Sequence, residues 1–164
     1  MRDHAELGDL LDKLTAAVEA NDTARTHAAL DMFWARLAMH IRAEHLHLFP
    51  AISRAASNGS DQVLPPDELE KTIAMLRDDH DFFMRELSRV IAITRNAKDD
   101  NAEQLEEVDK RIAAVRTRLI KHNEIEETGI YLWSNTVLSE AEQSELASQV
   151  QKELENLPPR FGVV

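Results

Sequence analysis

Two spacings restrict the fold of this chain more than any other feature: His40-x-x-x-Glu44 and His122-x-x-x-Glu126. An α-helix advances 100° and 1.5 Å per residue, so a separation of four puts imidazole and carboxylate on one face, about 6 Å apart along the axis. The flanking residues turn that face inward. Phe33, Leu37, His40, Glu44 and Leu48 recur at helical spacing, as do Leu119, His122, Glu126 and Ile130. His4 and His80 fall on the apolar faces of two further segments. A lone histidine there is ordinarily a satisfied core residue, but two carboxylates among apolar neighbours are costly to bury without a cation. Inward imidazoles on four helices, with acids on two of them, are what a carboxylate-bridged metal site inside a bundle requires.

The segmentation fits that architecture. Asp3-x-x-Glu6 has the form of a capping box, and Leu7, Leu10, Leu11, Leu14 and Val18 carry an apolar stripe to a break at Asn21-Asp22. A second helix is expected from Thr23 to Phe49, perturbed or ended by Pro50, with a short helical extension from Ile52 to Ala56. Ser57 to Asp61 and Pro65-Pro66 mark the one long loop. A third helix opens at Asp67-x-x-Glu70 and runs to Ala97, with Ile73, Leu76, His80, Phe83, Leu87 and Ile91 inward. Asp100-x-x-Glu103 opens a fourth, weakened near Gly129 and Ser134-Asn135. Ser139-x-x-Glu142 caps a shorter fifth helix ending near Leu154, and Pro158-Pro159 begins a tail. The expected fold is all-α: an up-down-up-down antiparallel four-helix bundle over residues 1–133, with the short fifth helix and tail at 134–164 packed on or extending from it. His4, Glu44 and Glu126 then share one end of the bundle. His80 joins them only if the third helix overhangs that end by a turn or two.

Composition narrows the chemistry. The 164 residues suit one domain, and 19 basic against 30 acidic residues give a net charge of -11. That balance disfavours a nucleic-acid backbone or an anionic membrane as partner. The chain has no cysteine, which excludes disulfides, thiolate metal sites and iron–sulfur clusters, so any metal must be held by nitrogen and oxygen. No apolar run spans a bilayer and the first residues lack the apolar stretch of a secretory signal, so a cytoplasmic location is expected.

The remaining histidines point elsewhere. His27 and His45 lie well off the His40 direction and are expected in solvent, as is Glu127. His47 returns to the inward face about 10 Å further along the axis, as an outer contact or an alternative ligand. Glu44-x-x-His47 has the form of a ferritin-type ligand pair, which needs a second Glu-x-x-His on another helix. Arg77 precedes His80 by three and Leu119 precedes His122 by three, so that reading fails.

In order and content the motifs resemble the hemerythrin family, the HHE cation-binding domain. Asp3-His4-x-x-Leu7, His40-x-x-x-Glu44 with Leu48-Phe49-Pro50, Asp79-His80, and His122-x-x-x-Glu126-Glu127 with Tyr131 carry the likeness over about residues 2–133. The resemblance implies a non-haem di-iron centre, oxo- or hydroxo-bridged, with His4, His40, His80 and His122 as terminal ligands and Glu44 and Glu126 as bridges. Manganese, or a single metal, also suits these donors. Oxygen-carrying hemerythrins have a second histidine four residues after the first in the third helix; here Met84 stands there, expected as core filling. Two six-coordinate metals offer about twelve positions, of which these side chains fill about eight. So open a site favours reaction over simple carriage of O2. The expected function is binding or reaction with O2, peroxide or nitric oxide, in redox sensing, peroxide removal or iron handling. The alternative is a metal-stabilised helical interaction module without redox chemistry. Tyr131 and Trp133 are expected at the mouth of the site or as a plug of the bundle end. Sequence leaves both monomer and homodimer open.

Overall fold

The apolar stripes become seven α-helices in a computed structural model that describes residues 2–58, 65–96 and 102–158. They are α1 (Arg2–Glu19), α2 (Thr23–Ala43), α3 (Phe49–Asn58), α4 (Pro66–Asn96), α5 (Ala102–Ile125), α6 (Tyr131–Val137) and α7 (Glu140–Glu155). Two π-helical turns, Glu44–Leu48 and Glu126–Ile130, join α2 to α3 and α5 to α6. The break between α1 and α2 has a clear cause. Asn21 takes a left-handed conformation, φ 52°, and the amides of Asn21 and Asp22 close back on Val18 and Ala17, after which the Asp22 side chain caps α2 at the Arg25 amide.

α1, α2, α4 and α5 form the four-helix bundle, with α1 on α2 and α5, and α4 on α2 and α5. Neighbours are antiparallel. The pairs His27–Thr94 and His45–His80 fix this for α2 and α4, and Glu86–Arg111 with Asp79–Arg118 fix it for α4 and α5. The interior is two apolar clusters. One includes Leu14, Leu37, Phe83, Val90, Ile112 and Leu119; the other includes Leu48, Phe49, Ile52, Leu69, Leu76 and Ile130. Each fully buried side chain of this size contributes roughly 1.5–3 kcal/mol. Along α2, α4 and α5 the chain passes from one cluster to the other across His40 and Glu44, His80, and His122 and Glu126. The polar layer therefore lies between two dry ones. α4 does overhang: about 20 Å of helix precedes His80, and Leu69, Ile73 and Leu76 on it build the second cluster with α3.

Three expectations change. The second helix does not end at Pro50. It widens into the π-turn, in which the Phe49 amide donates to Glu44, and continues as α3 with Pro50 in its first turn, where a missing N–H is tolerated. Asp3 is not a cap but lies inside α1, both its oxygens engaged by other helices. The expected cap at Asp100, most of the loop at 57–64 and the tail from Pro159 lie outside the described residues. The capping box at Ser139 and Glu142 is present. Among the described residues no helix is long and apolar enough to cross a membrane.

Candidate metal centre

The structure brings all six expected ligands into one buried layer. His122 and Glu126 have no exposure at all, and the most exposed, His4, has 6 %. Their donor atoms form two overlapping groups, His4–His40–Glu44–Glu126 and Glu44–His80–His122–Glu126, within each of which all ligand atoms lie within 4.8 Å of one another. Each glutamate spans both groups. Glu44 places one oxygen 3.2 Å from His40 Nε2 and the other 3.2 Å from His80 Nε2. Glu126 does the same, 3.1 Å from His4 Nε2 and 3.0 Å from His122 Nε2.

These approaches are close but not aligned as hydrogen bonds: neither oxygen of Glu44 or Glu126, nor His40 Nε2, has a hydrogen-bond partner. Buried polar atoms are almost always paired, and two carboxylates in such a layer without a compensating cation would cost several kcal/mol. His80 Nε2 and His122 Nε2 face each other at 3.1 Å, too close for two lone pairs with neither a proton nor a cation between them. The donor set fits cations that take nitrogen and oxygen.

The electrostatics run the same way. Burial and the neighbouring Glu126 carboxylate push Glu44 well above the carboxylate range. Burial also works against ionised Glu126, but the His122 and His4 imidazoles outweigh it and hold that carboxyl well below its usual value. Burial, then the adjacent His122, drives His80 down to about 2, leaving it in the neutral form that coordinates metals. Burial lowers His4, but Glu126 and Glu127 more than restore it and its pKa is raised. Tyr131 Oη lies 3.4 Å from His4 Nε2, and burial with the Glu44 and Glu126 charges pushes its phenol far up, so it remains a donor.

Behind the inward nitrogens, the outer nitrogen of every candidate imidazole is held. Asp3 accepts from His40 Nδ1 at 2.8 Å and Asp79 from His122 Nδ1 at 3.2 Å, while Glu127 accepts from His4 Nδ1 at 2.9 Å. His80 Nδ1 pairs with His45 Nε2 at 2.9 Å. Such contacts fix tautomer and ring orientation at metal sites. They form two matching halves. Asp3-His4 works with Arg36-x-x-x-His40-x-x-x-Glu44-His45, and Asp79-His80 with Arg118-x-x-x-His122-x-x-x-Glu126-Glu127. In each half one aspartate oxygen takes the arginine and the other the histidine. The residue after each glutamate reaches the histidine of the opposite half.

Sequence reasoning therefore missed Asp3, Asp79, Arg36, Arg118, His45 and Glu127. His45 and Glu127 are not solvated outliers. Each stands about 140° around the helix from the motif histidine, a direction that meets a flanking helix instead of water. The doubled arginine four residues before each histidine was a signal available in the chain. His47 belongs to neither group, and its imidazole lies 3.7 Å from Glu153 of α7. His27 is half-buried against Thr94. Met84 is half-buried one turn beyond His80, and Tyr131 borders the layer while Trp133 packs on the second apolar cluster.

The family model described as hemerythrin HHE cation binding domain matches residues 1–134. No curated protein and no solved structure matches the chain.

Proposed function

The chain belongs to the hemerythrin HHE cation-binding family, and from that premise we propose that it carries a non-haem di-iron centre that binds or reacts with O2, peroxide or nitric oxide. His4 and His40 hold one iron, His80 and His122 the other, and Glu44 and Glu126 bridge the two. The observation that carries this reading is the sharing of both glutamates by two buried donor groups. A single cation would leave half of these donors unsatisfied. Iron bound there would supply the electrons that reduce a small oxidant.

The chain's own residues prepare the rest. Asp3, Asp79, Glu127 and His45 lock the four imidazoles, so little reorganisation accompanies a change of charge at the centre. The Tyr131 hydroxyl keeps its proton at the edge of the layer, within reach of a small molecule beside His4. Apolar clusters above and below exclude bulk water, which strengthens each electrostatic contact inside.

Anaerobic reconstitution of metal-free protein with ferrous iron, followed by a colorimetric count, should give about two irons per chain. Exposure to O2 or peroxide should then develop absorption in the near ultraviolet. His122→Ala should lose iron. Retention of iron by that variant, or saturation at one iron in the parent, would overturn the assignment.

A further inference from the structure

A cavity of about 310 Å³ lies between α7 and the bundle and ends on His40 and Glu44. It arises because α7 is pinned at both ends and held off in the middle. At the C-terminal end Arg36 Nη1 donates to the Leu154 carbonyl at 2.8 Å, and Arg42 pairs with Glu153. At the other end the Gln143 amide donates to the carbonyls of Asn135 and Leu138. Between these anchors no residue of α7 is fully buried. Leu146, Val150 and Leu154, one turn apart on one face, are only half-buried and line the cavity opposite Ala43 and Leu48.

The polar lining is mostly engaged. Ser134 donates to the Tyr131 carbonyl, Asp3 takes Arg36 and His40, and Gln143 is held as above. Both Glu44 oxygens and His40 Nε2 are left without hydrogen-bond partners, so the cavity has apolar walls and one polar end, at the metal layer. A diatomic molecule or hydrogen peroxide would leave most of it empty: the volume equals about ten waters at ~30 Å³ each, and apolar walls hold ordered water poorly. We infer that this cavity takes a short aliphatic molecule with one oxygen-bearing head, an alkyl hydroperoxide, its head at His40 and Glu44 and its carbon body along Leu146 and Val150. This rests on the proposed reactivity with peroxide and names the substrate class for it. It also gives a role to α7, which lies beyond the 1–134 match.

The test uses unreactive probes first. The iron-loaded full chain is titrated with the straight-chain alcohols from ethanol to hexanol, with binding read by saturation-transfer NMR. Affinity should rise about fourfold per added methylene until the cavity is filled. Val150→Phe, and separately Ala147→Phe, should remove that rise without changing iron content or the melting temperature appreciably, since neither residue is fully buried. Affinity that stays flat with chain length, or a rise that both variants retain, would overturn the inference. Consumption of tert-butyl hydroperoxide and of hydrogen peroxide is then compared, and Val150→Phe should raise KM for the alkyl substrate alone. An intact alcohol series with no consumption of either peroxide would support the pocket and sink the peroxide reading. Consumption of hydrogen peroxide with a flat series would do the reverse.

Discussion

Each of the two arginines beside the metal layer grips an aspartate that grips a histidine, but the two sit in different surroundings. Arg36 is 8 % exposed and holds Asp3, Glu6 and the end of α7. The Arg118 side chain is 40 % exposed and rests on the Phe82 ring, 4.5 Å from its centre. Hydrogen bonds to charged partners are worth about 1.5–3 kcal/mol when buried, while a solvent-screened pair is worth less than about 1 kcal/mol. Arg36→Ala should therefore lower stability by about 2 kcal/mol and Arg118→Ala by less than half of that, measured by urea unfolding. Asp79→Asn tests the contact one step closer to the metal. It keeps the shape but removes the charge that orients His122, and should weaken metal binding by about 10- to 100-fold in a chelator competition. Unchanged affinity would mean that His122 holds its orientation by packing against Phe83 alone.

At the scale of elements, both His-x-x-x-Glu motifs run directly into a π-turn that starts on the glutamate itself. A π-turn is an α-helix carrying one residue more than its regular hydrogen bonding accommodates. The helix faces above and below keep their directions while the carboxylate and its successor are re-aimed. Excising Thr128 should restore regular bonding, leave helix content unchanged by circular dichroism and lower metal content. Full metal occupancy in that variant would show the turn to be incidental. These turns also mark the limit of what the sequence reveals. Helix starts at Asp22 and Ser139, the inward set of four imidazoles and two acids, and the overhang of α4 all follow from periodicity and capping. The π-turns leave no periodic trace, and His45 and Glu127 were misplaced because every direction away from the inward stripe was taken to be water. Asp3 was misread for a different reason. A carboxylate near a chain start satisfies the capping pattern whether or not a histidine and an arginine from another helix claim it.

For the whole molecule, a polar layer between two apolar clusters makes stability a function of what the layer binds. Without metal, burial and Glu126 raise Glu44 above its unfolded value near 4.5. The folded chain then holds a proton that the unfolded chain releases, so this group's contribution is complete below pH 4.5 and is lost as pH rises through the raised pKa. Glu126 is depressed in the fold, and its contribution stands above pH 4.5 and fades only as pH falls through that lower value. Metal-free protein should accordingly lose stability from about pH 5 upward. Metal binding takes the ionised carboxylate and displaces the proton, so affinity should rise over the same range and proton release should be measurable in weakly buffered solution. At a free metal concentration a thousand times Kd, binding adds about 4 kcal/mol, or roughly 8–16 °C in Tm for a chain of this size. The gap between loaded and metal-free Tm should therefore widen with pH, and scanning calorimetry at pH 5, 6 and 7 checks it. A gap that stays constant would mean that Glu44 is already ionised in the metal-free fold.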